Sequence, residues 1–496
     1  MEIPLLGLDV PTWLVIALTS LILLYKYLMS SFNDMYALGL PGPKAYPIVG
    51  TFYRATQIGI GAADLENIKK YGKVYAAHMG SKTTIVVGDT ELAKHILVKD
   101  FKYFTNRRKI GVIEKPIDKM MTIIDDDEWR NMRNATTPAF SGARLRRTTS
   151  DINVCAGQLV KNMGALADGG EPFLVKTYTG SFSADLIARV AFGVDIDSQS
   201  DPDHPFVKHM NRLLDFSIMK NPMFFIMVFL PFLAPFCRKM GMRCFNKEGI
   251  DYFAQIVQQA IEERKKESTQ RNDFLQLMLN AKEFQPSNEE SSDLQQRQPL
   301  TDDEILSNCI TFFFAAYGTI GDTMSLILFA LAEHPEVQEK MLEEIHDVLH
   351  GDPQNCSYDQ IKEMTYLDMV VHECMRLYPA LQIIDRVCSQ DVTINGVKFP
   401  KDVVVNIPVW AIQMDPDNYP EPEKFIPERF SPEKKAEMNA YHWLPFGYGP
   451  RSCLGMRLAL LEMKIALVHL VSNFKIQLSE PGQKVTRNNF TGTPVD

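Results

Sequence analysis

Phe446-Gly447-Tyr448-Gly449-Pro450-Arg451-Ser452-Cys453-Leu454-Gly455 runs directly into an apolar helical stretch, residues 456–471. Two glycines and a proline let the backbone loop tightly beside a flat ligand, and a helix starting just after Cys453 points amide donors at its sulfur. Such donors are expected to lower the thiol pKa, as a metal-ligating sulfur requires. A cysteine at a loop-to-helix junction also suits a nucleophile of the Cys-His kind, and spacing alone leaves both readings open. The aromatic Phe446 and the crowding glycines favour shielding.

The other seven cysteines are scattered with no C-x-x-C spacing, which signals neither a zinc site nor a redox dithiol and fits free thiols in a reducing compartment. The 496 residues are 46% hydrophobic and 23% charged, enough to bury a large core, and no long flexible linker divides them before the last third. A net charge of -9 argues against a general nucleic-acid partner.

Residues 10–25 carry no charge, and if Lys26 snorkels the apolar run reaches residue 29, close to the about 20 residues a spanning helix needs. A cleaved signal peptide competes with an anchor, but Glu2 and Asp9 precede the run and no small-residue cleavage site follows it. Basic residues after the segment orient the bulk of the chain toward the cytosol. This divides the chain into a lumenal tip (1–9), a single-pass transmembrane anchor (10–29), a stiff proline-rich connector (30–48) and one large domain (49–496).

Within that domain, alternation over residues 75–87 predicts a strand pair turning at Gly80-Ser81. Helices are predicted over 127–136, 149–167, 250–267, 301–334, 335–349 and 366–377, the fourth opened by a Thr301-to-Glu304 capping box. Residues 223–236 are uncharged, but Pro231 and Pro235 forbid a straight helix; a second membrane contact and a buried core segment are both open. Residues 281–300 read as a mobile surface loop, and short strands return after Asp391 around an Asn395-Gly396 turn.

The opening stretch resembles the F-x-x-G-x-R-x-C-x-G haem loop of the cytochrome P450 family at every fixed position. Glu373-x-x-Arg376 with Pro427-Glu428-Arg429-Phe430 resembles that family's Glu-Arg-Arg triad, Trp129-x-x-x-Arg133 its propionate-binding helix, and Arg386 its further propionate arginine. Thr105-Asn106-Arg107-Arg108, Glu333-His334-Pro335 and Asp415-Pro416 agree more weakly. The texture is most similar to the microsomal xenobiotic-oxidising clan that includes thromboxane synthase.

The resemblance implies a mainly α fold with small β-sheets around haem b (iron protoporphyrin IX). Cys453 would be the axial iron ligand, with Phe446 over the sulfur and Gly455 completing the loop. Arg451, Trp129, Arg133 and Arg386 would contact the haem, and Glu373, Arg376 and Arg429 would be structural. It further implies a monooxygenase of the endoplasmic reticulum membrane, taking electrons from an NADPH-dependent flavoprotein reductase and oxidising a lipophilic small molecule. Residues 109–121, 216–236 and 380–384 would line or cap its pocket. Arg130, Arg144, Arg146, Arg147, Arg457 and Lys464 would form a basic face for the reductase.

Departures concentrate in Ala315-Ala316-Tyr317-Gly318-Thr319, which aligns with the family's A-G-x-[D/E]-T. The alcohol is kept as Thr319, but Gly318 replaces the acid and Ala316 the groove glycine. Asp322, four residues beyond Gly318 on one helical face, is the candidate substitute acid through water. Gly318 and Gly321 predict a local kink. Gln413 stands where the family often has histidine, and the stretch after Phe474 leaves little room for a final pocket-lining strand. The missing acid keeps two alternatives open: a reductase-independent isomerase or dehydratase of a peroxide, and a haem-containing lipophile binder of low activity.

Overall fold

The computed structural model describes all residues except 1, 4–7, 10, 31, 81, 110, 112, 202, 215–220, 267–270, 272, 284–297, 352, 481, 484 and 486–496. Most of the predicted loop 281–300, part of 216–236 and the end of the chain therefore lie outside the described residues.

A continuous apolar run builds α1 (Thr12–Ser30), whose Trp13, Ile16, Leu21, Ile22 and Tyr27 are exposed. The alternating stretch forms β1 (Val74–Met79) and β2 (Lys82–Val87), paired antiparallel with Tyr75 opposite Val86. Next come α2 (Asp126–Thr136), α3 (Gly142–Gly169), α4 (Val175–Ile187) and α5 (Pro205–Leu214). The uncharged segment folds as α6 (Pro222–Phe229), which at Pro231 gives way to a second piece, including α7 (Ala234–Lys239), bent from it by 117°. Met223, Met227 and Cys237 are buried while Phe232, Phe236 and Met240 are exposed, so the segment is part core and part surface.

The helices α8 (Lys247–Lys266), α9 (Asp302–Glu333), α10 (Pro335–Leu349) and α11 (Thr365–Leu377) follow. The capping box of α9 is present: Glu304 N donates to Thr301 Oγ1 (3.3 Å) and Thr301 N to Glu304 Oε2 (2.8 Å). Caps of this kind contribute about 1 kcal/mol. By length and composition α9 could cross a membrane, but half of its apolar window is buried in the core. It is one unbroken α-helix, so the predicted kink at Gly318 and Gly321 does not interrupt it. Neighbouring helices pack on both glycines, Leu214 at Gly318 and Gly180 at Gly321.

Short strands β3 (Ile384–Val387), β4 (Val392–Ile394), β5 (Val397–Phe399) and β6 (Val404–Ile407) precede the last long helix, α12 (Met456–Asn473). One sheet has the order β1-β2-β6-β3, with β2 and β6 parallel, and β4 pairs with β5 around Asn395-Gly396, both at positive φ. Arg386 on β3 sits opposite Val405, and an Asn106–Val387 bridge brings the 105–108 segment alongside.

Two clusters flank α9. One joins α3, α10, α11 and α12; the other joins α5 and α8 through Phe192, Phe206, Phe253 and Phe313, with Phe192 and Phe313 stacked at 4.3 Å. Each such phenylalanine contributes roughly 1.5–3 kcal/mol by burial. The two clusters clamp α9 between the layers and fix which of its faces looks inward.

Candidate active site

The loop before α12 is closed by its own backbone: Cys453 N donates to the Phe446 carbonyl (2.8 Å), Ser452 N to Gly449 and Gly447 N to Leu444. Gly447 and Gly449 have φ of +67° and +77°. A methyl group on Gly449 would lie 2.1 Å from the Leu97 carbonyl oxygen, so only glycine fits. Gly455, with φ of -83° at the start of α12, is under no such constraint.

Of the eight cysteines only Cys453 is exposed. It is at once reachable by solvent and ringed by protein, as befits a group lining an internal void. Burial raises its thiol pKa; the Gly455 and Met456 amides and the Arg133 and Arg107 guanidiniums oppose that rise without cancelling it. The expected lowering is therefore corrected. The donors are in place, but desolvation outweighs them, and a bound metal would have to complete the deprotonation.

Four guanidiniums converge above this loop. Buried Arg451 stacks on Trp129 (4.1 Å) and donates to the carbonyls of Thr105, Met121 and Ile124. Arg133 donates to the Ser452 carbonyl (2.9 Å), and Arg386, 1% exposed, to Asp385 O (2.7 Å). Arg107 reaches the Arg451 carbonyl at 3.5 Å. The Nε atoms of Arg107 and Arg386 are buried without a hydrogen-bond partner. Burial, then the Arg107 charge, lowers the pKa of Arg386 to about 9 and that of Arg451 to about 10. Among the described residues none of the four forms an ion pair with a carboxylate. Buried like charges with spare donors are costly unless an anion joins them. A flat group carrying two carboxylates beside Cys453 would supply it, so the residues present fit haem.

Beneath the loop, Glu373 and Arg376 are fully buried and paired bidentately (2.7 and 2.9 Å). Arg429 Nε lies 3.3 Å from Glu373 Oε1, an ion pair without hydrogen-bond alignment, and Arg429 Nη2 donates to the Glu421 carbonyl. Gln413, in the place of the family's histidine, donates to the Met375 and Arg376 carbonyls and accepts from Leu444 N (2.9 Å). It ties the end of α11 to the root of the Cys453 loop.

Midway along α9, Ala315 and Thr319 are exposed while Phe313, Tyr317 and Ile320 beside them are buried, so one face of the helix at this point is not covered by protein. Thr319 Oγ1 donates back to the Ala315 carbonyl (2.6 Å), and the Ala316 carbonyl accepts from Ser183 of α4 (3.1 Å). Asp322 forms an ion pair with Lys176 of α4 (3.0 Å); burial raises its carboxyl pKa and Lys176 holds it back. The structure thus commits Asp322 to α4, on the flank of the exposed face instead of free within it. Leu381, expected among the lining residues, is 57% exposed, whereas 119–121 is pinned to α9 by Lys119 N to Ser307 and Met121 N to Asn308.

Of the expected basic face, Arg130 pairs with Asp127, Arg146 with Asp359 and Lys464 with Asp368, and Arg144 donates to the Asp273 carbonyl. Arg147 and Arg457 remain exposed. Sequence reasoning did not single out Arg107, Lys176 or Leu214 as site residues. The Arg107-Arg108 pair was a signal for the first, and the other two declare themselves only through tertiary contacts; Gln413 was noted as a departure, but its role in tying α11 to the loop was not.

The comparisons agree with this geometry. The family model described as "Cytochrome P450" matches residues 40–494. Cytochrome P450 3A13 of Mus musculus is 40% identical over 468 residues, covering 94% of this chain and 91% of its own. Cytochrome P450 3A9 of Rattus norvegicus is 39% identical with the same coverage, and cytochrome P450 3A29 of Sus scrofa is 37% identical over 98% of this chain and 95% of its own. With the cysteine loop, the arginine cluster and the buried triad all on a matching fold, this chain belongs to the cytochrome P450 family.

Proposed function

We propose a division of labour between the two faces of the cavity in a haem-thiolate monooxygenase that acts on lipophilic small molecules. The family assignment carries the reaction class and the cofactor, haem b. The observation that supports the residue roles is the arginine cluster beside the one exposed cysteine, none of whose members is ion-paired to a carboxylate among the described residues.

On the proximal face, the Cys453 sulfur is the iron ligand, with the Gly455 and Met456 amides and Arg133 stabilising its negative charge. Arg107, Arg133, Arg386 and Arg451 hold the two haem carboxylates, and Trp129 keeps Arg451 in place by stacking. Phe446 shields the sulfur. Glu373, Arg376 and Arg429 brace the loop from beneath without touching the cofactor. When bound, haem supplies dioxygen activation, with one oxygen atom going to substrate and the other to water.

On the distal face, Ala315, Ala316 and Thr319 border the substrate, and the Thr319 hydroxyl, leaving the Ala315 carbonyl, holds or passes a proton. With Gly318 unable to serve as acid, Asp322 is the proton source, reached from solvent through the half-exposed Lys176. Its place one helical turn from Thr319 and its raised pKa support that role.

Electrons come from a reductase. The finer reading is an NADPH-dependent flavoprotein docking on the Cys453 side, where Arg147 and Arg457 stay available. The chain sits on the endoplasmic reticulum membrane through α1, with the catalytic domain in the cytosol. Tyr27 of α1 lies edge-on to Phe232 (6.2 Å), and the exposed Phe232, Leu233, Phe236 and Met240 extend that apolar surface. Reconstitution with flavoprotein reductase and NADPH against a panel of lipophiles tests this. Mono-oxygenated product that requires dioxygen and reductant is expected; product formed from a peroxide substrate without reductant would contradict it.

A further inference from the structure

A methyl group placed on Gly318 would lie 3.0 Å from Leu214 Cδ1 of α5, with no other contact within 4 Å among the described residues. The neighbouring position on α9 is fastened to the same helix, since Tyr317 donates its hydroxyl to Asn211 Oδ1 (2.9 Å). Asn211 and Leu214 are three residues apart and share a face of α5, so two adjacent residues of α9 receive the last turn of α5. Gly318 is thus more than a lost acid. It is a notch on the flank of the exposed Ala315–Thr319 face, and Leu214 is seated in it.

We propose that the Leu214–Gly318 contact is a specificity determinant, lowering the last turn of α5 toward the void and selecting narrow lipophiles over wide ones. This rests on the reading that the void holds the lipophilic substrate. An acidic side chain at 318 would have to place its carboxylate against the Leu214 methyls or push α5 away. The glycine and the leucine therefore depend on each other.

Two arms on the full-length holoprotein test the pair. In the first, binding of clotrimazole (wide) and 1-methylimidazole (narrow) is followed by the shift each causes in the haem absorption. Leu214→Ala is expected to tighten clotrimazole about tenfold and to leave 1-methylimidazole within about twofold. Equal changes for both ligands would overturn the proposal. The second arm reads thermal unfolding. Alanine is the better helix former, so Gly318→Ala should raise the midpoint unless its methyl is contested. The expected result is no rise in the native background and a clear rise beside Leu214→Ala; the same rise in both would overturn the contact. If neither azole perturbs the wild-type haem spectrum, the haem reading itself fails, while the thermal arm still reports on the Leu214–Gly318 pair.

Discussion

The two faces of the cavity are built by different means. The Cys453 face is built around ten consecutive residues whose backbone closes on itself and whose Gly449 admits no side chain at all, with arginines from other elements added to it. The α9 face is made by residues brought from α4 and α5: Ser183 on the Ala316 carbonyl, Lys176 on Asp322, Leu214 in the Gly318 notch. A face centred on one closed loop is least tolerant where the backbone itself is crowded, as at Gly449. A face assembled from three helices tolerates the loss of its acid, because neighbours repack and regroup charge around the gap.

The contrast is broken most severely from beneath the loop. Glu373→Gln leaves Arg376 buried without its counter-charge, which costs roughly 3–5 kcal/mol. Loss of haem content and a collapsed unfolding midpoint are expected, and a variant with the wild-type midpoint would remove the triad from the account.

Arg386→Gln separates the apoprotein from the holoprotein by sign. Without the haem carboxylates the buried Arg386 charge is a burden, so the variant raises the stability of the apoprotein by about 1–2 kcal/mol; with haem bound, the same change lowers the midpoint and speeds haem loss. Burial and the Arg107 charge hold the Arg386 pKa below its usual value, yet the guanidinium keeps its proton in folded and unfolded chains alike at neutral pH, so the advantage of Arg386→Gln in the apoprotein is expected to be flat there. A lower apoprotein midpoint for the variant would contradict this.

Asp322→Asn has the smallest expected effect. Peroxide released per NADPH consumed should rise a few-fold with substrate binding unchanged, less than the full factor of a positioned acid because Thr319 and water still carry part of the proton delivery. Unchanged coupling would take Asp322 out of the proton route and leave its pair with Lys176 as packing between α4 and α9.

Sequence legibility follows the same division. The Cys453 loop and the triad were readable through the family resemblance, since spacing alone left the cysteine open between ligand and nucleophile, whereas the helices at 335–349 and 366–377 were readable from their amphipathic periodicity. The helices α4 and α5 were not assigned. α4 carries Thr177, Thr179, Ser181 and Ser183 where helix formers are usual, and it folds because it packs on α9 so tightly that a methyl group on Gly321 would lie 2.9 Å from Gly180 Cα. The direction of the Cys453 pKa was misjudged because amide donors are visible in the sequence and burial is not. Asp322 was singled out by spacing, but its partner Lys176 lies 146 positions away, and no local pattern announces such a pair.

The central claim is that Cys453 supplies a thiolate to a haem held by the arginine cluster. Carbon monoxide added to the reduced, purified holoprotein tests it most directly. The strongly red-shifted absorption of a thiolate-ligated carbonyl haem is the predicted result, and a band at the position given by histidine-ligated haem would contradict it.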